Sequence, residues 1–98
     1  MQEFEKQFEE FCKSPGIDSG KARSYVKAIR YLCDYMEIKE ITPETISKLK
    51  LVESSVNDKN SLFYKELNEF LRKRRQVSYL EKGFVRAALK YLFIFKMY

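Results

Sequence analysis

Apolar residues recur along this chain at intervals of three and four, the spacing of one face of an α-helix at 3.6 residues per turn. Phe4, Phe8 and Phe11 make one such stripe and predict a helix over Gln2–Lys13. Ser14-Pro15-Gly16 ends it, since proline lacks an amide donor and glycine accepts dihedrals that other residues avoid. A second stripe follows in Ala22, Tyr25, Val26, Ile29, Leu32, Cys33 and Met36, with Asp18 or Ser19 placed to cap an orphan amide at its start. Arg23, Lys27 and Arg30 share another arc of this helix, and Tyr31 and Tyr35 are expected to point away from the core.

Thr42-Pro43 opens a third helix, with threonine at the cap and proline at the first helical position, where no amide donor is needed. Ile46, Leu49 and Val52 face inward, and "ESSVNDKNS" reads as a polar loop over residues 53–61. A fourth helix is predicted from Ser61 to Arg74, burying Phe63, Leu67, Phe70 and Leu71. The last begins at Ser78, whose spacing to Glu81 matches a capping box. It carries Leu80, Phe84, Ala88, Tyr91 and Phe95 on one face, with Lys82, Arg86, Lys90 and Phe93 opposite. Gly83 falls in its interior at a cost of about 1 kcal/mol, or else admits another helix or a ligand backbone. No stretch alternates convincingly with period two. The predicted fold is therefore all-α, a compact bundle of about five helices with Phe8, Ile29, Phe70, Phe84 and Leu92 in its core.

Composition narrows the function classes. Ninety-eight residues make one helical domain over 1–98, and 45% apolar content is too high for a disordered chain. No run of eighteen apolar residues exists, and the acidic start "MQEFEKQFEE" is unlike a signal peptide, so no membrane association is expected. Cys12 and Cys33 read as buried, reduced thiols of a cytoplasmic protein. The chain has no histidine, which excludes most triads and zinc sites. No Gly-rich phosphate loop occurs, and Glu9 with Glu10, or Glu37 with Glu40, read as solvated carboxylates. No catalysis, no metal and no cofactor are expected of this chain. The closing "YLFIFKMY" is apolar on nearly every side. It is expected to be covered, either by a second copy in a homodimer or, as the preferred reading, by the continuation of a longer chain from which this domain is excised.

Charge is distributed unevenly. Residues 1–50 carry nine Lys/Arg and nine Asp/Glu, whereas residues 51–98 carry ten and five. From Arg72 onward eight cations face the single acid Glu81. Arg72, Lys73, Arg74 and Arg75 stand consecutively at a helix end, where one or two cations would satisfy the macrodipole. Their coupling to Lys82, Arg86 and Lys90, interleaved with Tyr79 and Phe93, predicts a surface for a polyanion, with nucleic acid the commonest. Arg23, Lys27 and Arg30, with Lys21, form a second candidate set.

"FEEFCKSPGIDSGKARSYVKAIRYLCDYM" resembles the opening of the SAM-like core-binding domain of tyrosine recombinases of the phage-integrase type, carried here by Ser19, Tyr25, Ile29 and Leu32. "VRAALKYLFIF" resembles that family's closing helix through Ala88, Leu89, Tyr91 and Leu92. Similar helical modules precede the nuclease domain in some restriction endonucleases. The resemblance implies a helical DNA-binding clamp that positions an adjoining catalytic domain, with phosphate contacts from the two basic sets. The middle helices and the loop at 53–61 match no part of that pattern. The competing expectation is a protein-interaction module, for example a homodimer closing over the apolar last helix.

Overall fold

Local chemistry sets most of the element boundaries. The structure, a computed structural model, describes residues 2–14 and 16–96, so Pro15 and the last two residues of "YLFIFKMY" lie outside the described residues. The described residues form six helices and no strand: α1 (Gln2–Lys13), α2 (Ser19–Met36), α3 (Pro43–Val56), α4 (Leu62–Lys73), α5 (Ser78–Glu81) and α6 (Phe84–Phe95). Asp18, not Ser19, caps α2, its carboxylate accepting the Lys21 amide at 3.0 Å. Thr42 and Thr45 cap α3 reciprocally. The Thr42 amide donates to Thr45 Oγ1 at 2.7 Å, and the Thr45 amide donates to Thr42 Oγ1 at 3.2 Å. Ser61 caps α4 by accepting the Tyr64 amide at 3.0 Å.

Two boundaries depart from the sequence reading. α3 continues to Val56, because that side chain is buried and extends the Ile46–Leu49 stripe by two further turns. The polar loop shrinks to residues 57–61. The predicted fifth helix is two helices. Ser78 does not act as a cap, since Val77 precedes α5 with no side-chain hydrogen bond. Glu81, the other half of the expected box, lies against Arg72 instead, at 3.5 Å. Gly83 then turns the chain in the left-handed region, φ +83°, and α6 starts anew. Gly83 is thus a corner between helices, not an interior defect.

α2 lies at the centre, packed on α1 and α6, while α3 and α4 close the other sides. Phe8, Ile29 and Leu92 are fully buried as expected. Phe70 and Phe84 are only half-buried, and their neighbours Leu71 and Val85 take the core positions. The two aromatics instead flank the core and trap tyrosines. Tyr35 meets Phe70 and Phe63 edge-on at ring separations of 5.2 and 5.5 Å. Tyr31 meets Tyr79 at 5.2 Å, and Tyr79 leans on Phe84. Tyr31 and Tyr35 therefore do not point away from the protein. The α2 helix is covered on two flanks, so its buried arc is wider than the aliphatic stripe alone.

Two left-handed positions give opposite predictions. Gly83→Ala is expected to cost about 1–2 kcal/mol, the usual penalty for a side chain in that region. Space is not the reason, since an added Cβ would meet only the Arg86 guanidinium at 3.5 Å. Arg75 also has a left-handed φ, +59°, in the turn that closes α4, where the Gln76 amide reaches Leu71 O at 2.8 Å. Glycine is the usual residue there, so Arg75→Gly is expected to stabilise by up to about 1 kcal/mol. Paired urea titrations check both signs.

Cys12 and Cys33 are free and fully buried. Burial, reinforced by Glu9, pushes the Cys12 thiol up to about 11, and burial, reinforced by Asp34, pushes Cys33 up to about 12. The thiolate is the nucleophile, so neither thiol is expected to react with iodoacetamide at pH 8 in the native state. Both react once urea unfolds the chain. Because these folded-state values are raised, the contribution is complete below the ordinary thiol pKa. It is lost as pH climbs from about 9 towards 12.

Candidate nucleic-acid interface

Along α6, Arg86, Lys90 and Phe93 fall within one arc at 100° per residue, across the helix from the buried Val85, Ala88 and Leu92. α3 lies beside this arc and runs the other way. Lys50 sits 5.8 Å from the Phe93 ring centroid, while Val56 and Asn57 border a hollow with Gly83 and Arg86. The hollow has a volume of about 160 Å³ and is also lined by Lys59, Tyr64, Leu80, Glu81 and Lys82. Lys59, Lys82 and Arg86 thus converge from the α3–α4 connection and the α5–α6 corner. Lys90 continues the line along α6.

Lys59, Lys82, Arg86 and Lys90 are exposed, and among the described residues none has a carboxylate within ion-pair distance. Glu81, the acid of the hollow, is drawn to Arg72, whose Nη2 also donates to Asn68 Oδ1 at 3.2 Å. Glu53, half-buried on α3, is the other acid along this side.

The four consecutive cations do not form one patch. Arg72 turns towards α5. Lys73 and Arg74 border a separate groove with Tyr35, Glu66, Glu69 and Phe70. There the Arg74 guanidinium lies 4.2 Å from the Phe70 ring centroid, stacked on an aromatic face beside acids. Arg75 occupies the exposed turn. Tyr79 is engaged by Tyr31 and Phe84 and does not interleave the cations.

The second candidate set is compensated at Arg30, whereas Arg23 and Lys27 have no carboxylate within ion-pair distance among the described residues. Arg23, Lys27 and Arg30 share a groove with Glu5, Glu9 and Glu10 of α1, together with Lys6. Arg30 grips Glu5 through both arms of its fork, Nε donating to Oε1 at 3.2 Å and Nη2 to Oε2. The Glu5 hydrogen bonds push the guanidinium pKa up from its ordinary value. Glu9 and Glu10 are held by Lys13, at 3.2 and 3.7 Å. The Arg30–Glu5 pair ties α1 to α2, and the groove sets Arg23 and Lys27 beside carboxylates that Lys13 engages.

No protein-family model, curated protein or solved structure matches the chain. Among the described residues no three potential metal ligands gather, and no helix is long and apolar enough to cross a membrane. The α3–α6 face presents cations without ion-pair partners among the described residues around a small recess. Lys82, Arg86 and Lys90 of this face are among the candidates named from the sequence. Lys59 and Lys50 are not, because they lie far from α6 in the chain and carry no local pattern that sets them apart from other surface lysines.

Proposed function

We propose that the chain is a DNA-binding accessory domain that positions a separate catalytic domain, of the recombinase or restriction-nuclease kind its sequence resembles. The observation that carries this reading is the gathering of Lys59, Lys82, Arg86 and Lys90 on one face without acid partners among the described residues. Lysine and arginine left unpaired in a line favour a polyanion, and the contacts they make go to phosphates and carry no base information. Arg72, beside Glu81, extends the surface at its rim. Arg74, stacked on Phe70, contributes less than its place in the basic run suggests.

A salt titration on two unrelated duplexes tests the reading. Binding should be comparable on both, and log affinity should fall linearly with log salt concentration. Absence of binding at low salt would overturn it.

One observation favours a second reading. Leu51 and Leu62 are 81% and 70% exposed, on α3 and at the start of α4. A protein-interaction module would use such side chains as apolar anchors. Its self-association or partner binding would be nearly insensitive to salt, and sedimentation at two salt concentrations separates the cases.

A further inference from the structure

The hollow between the α3–α4 connection and the α5–α6 corner is lined by three cations that have no ion-pair partner among the described residues. Its volume of about 160 Å³ is well below the roughly 300 Å³ at which small-molecule sites begin. A whole nucleotide does not fit, but a single tetrahedral anion with some water does. Lys59, Lys82 and Arg86 supply the positive wall, and Asn57 and Tyr64 complete it. The acid that would otherwise neutralise the wall, Glu81, is partly withdrawn by Arg72 at 3.5 Å. Lys59 stands more than twenty residues from Lys82 and Arg86 in the chain, so their convergence is a product of the fold and not of a basic run in the sequence. The uncapped start of α6 adds amide donors at Gly83's side of the recess, but the three side chains carry the argument.

We infer that this recess is a binding site for one phosphate group in its dianionic, monoester form, such as the phosphate at the end of a nucleic-acid strand. At about 160 Å³ the recess has room for one phosphate group and little of a strand. A backbone diester would have to lead a strand in and out of it, whereas a terminal phosphate enters alone and brings a second negative charge. The inference deepens the DNA-binding reading and rests on it only for the source of the phosphate. Arginine presents a planar fork that matches two phosphate oxygens, and the two lysines act as point charges at the remaining ones.

The test follows backbone amide resonances of the intact chain during titration with inorganic phosphate at constant ionic strength. Saturable shifts confined to Asn57, Lys59 and residues 82–86 are expected, and they should vanish in Lys82→Gln/Arg86→Gln. Lys59→Gln alone, a change in an exposed loop, weakens the same shifts and serves if the double variant fails to fold. No saturation, or shifts spread evenly over all exposed lysines, overturns the site. A second arm compares one short duplex with and without 5′-phosphates. The phosphorylated form should bind at least about tenfold more tightly, as expected for charge-assisted hydrogen bonds to one added group. Equal binding of the two duplexes overturns strand-end recognition and leaves the DNA-binding reading standing. Saturation by inorganic phosphate with neither duplex bound supports the phosphate site and overturns the DNA-binding reading.

Discussion

Phe8→Ala is expected to destabilise the protein by about 3–5 kcal/mol, the usual cost of deleting a buried aromatic ring. A domain of this size has a total stability of about 5–15 kcal/mol, so roughly a fifth or more of it rests on this one side chain. Phe8 is fully buried. Its ring stacks on Phe4 at 5.7 Å with an interplanar angle of 11°, and it meets Phe95 of α6 at 5.7 Å. The truncation opens a cavity where the first and last helices join, and neighbours on two rigid helices cannot collapse into it. The melting temperature should fall by more than about 10 °C. Phe84→Ala is the internal control, because Phe84 is only half-buried and its loss can be filled from solvent. If Phe8→Ala melted within a degree or two of wild type, the packing of α1 described above would be wrong.

The second large effect is electrostatic. Replacing Lys59, Lys82, Arg86 and Lys90 together by Gln is expected to weaken binding to every duplex alike and to flatten the log–log salt slope. Each phosphate left without its cation takes about 0.9 from the magnitude of that slope, so the four substitutions together take up to about 3.6. Stability should barely change, because exposed charges without partners contribute little to it. Removing four like charges also relieves mutual repulsion. Arg74→Ala/Arg75→Ala is the comparison. Arg74 is stacked beside Glu66 and Glu69, so this pair should flatten the slope less, by well under about 2. A quadruple variant that kept the wild-type slope would move the binding surface elsewhere, and a comparison pair with a flatter slope than the quadruple would return it to the basic run.

How much of this was legible beforehand depended on the range of the interaction. The cap at Thr42, three positions from its partner, was readable, and so was the extent of α1. The capping box at Ser78 misled because Glu81 has a long-range competitor, Arg72. In α4 the buried Leu67 and Leu71 were read correctly, but the depth of Phe70 and the phase of α6 misled because aromatics and aliphatics share the apolar arc, and only packing decides which go to the centre. Leu71 and Val85 go there, and Phe70 and Phe84 go to the flank, where they hold Tyr35 and Tyr79. The basic surface shows the same limit. Arg30 looked like a free cation until Glu5, twenty-five residues earlier, came to lie across from it. Lys59 looked like loop decoration until the fold set it beside Arg86.

The ring contacts of Phe95 with Phe4, Phe8 and Phe11 bear on how the protein opens. They tie together segments from opposite ends of the sequence, and such contacts form only after the intervening chain has been ordered. Breaking them, together with the Arg30–Glu5 pair and the packing of α1 on α2, frees the N-terminal helix while α2 and α6 stay packed on each other. The amides of α1 and of the last turn of α6 should therefore exchange with solvent deuterium at a common rate, faster than those of α2, as a single cooperative unit that detaches and redocks while the α3–α6 face stays assembled.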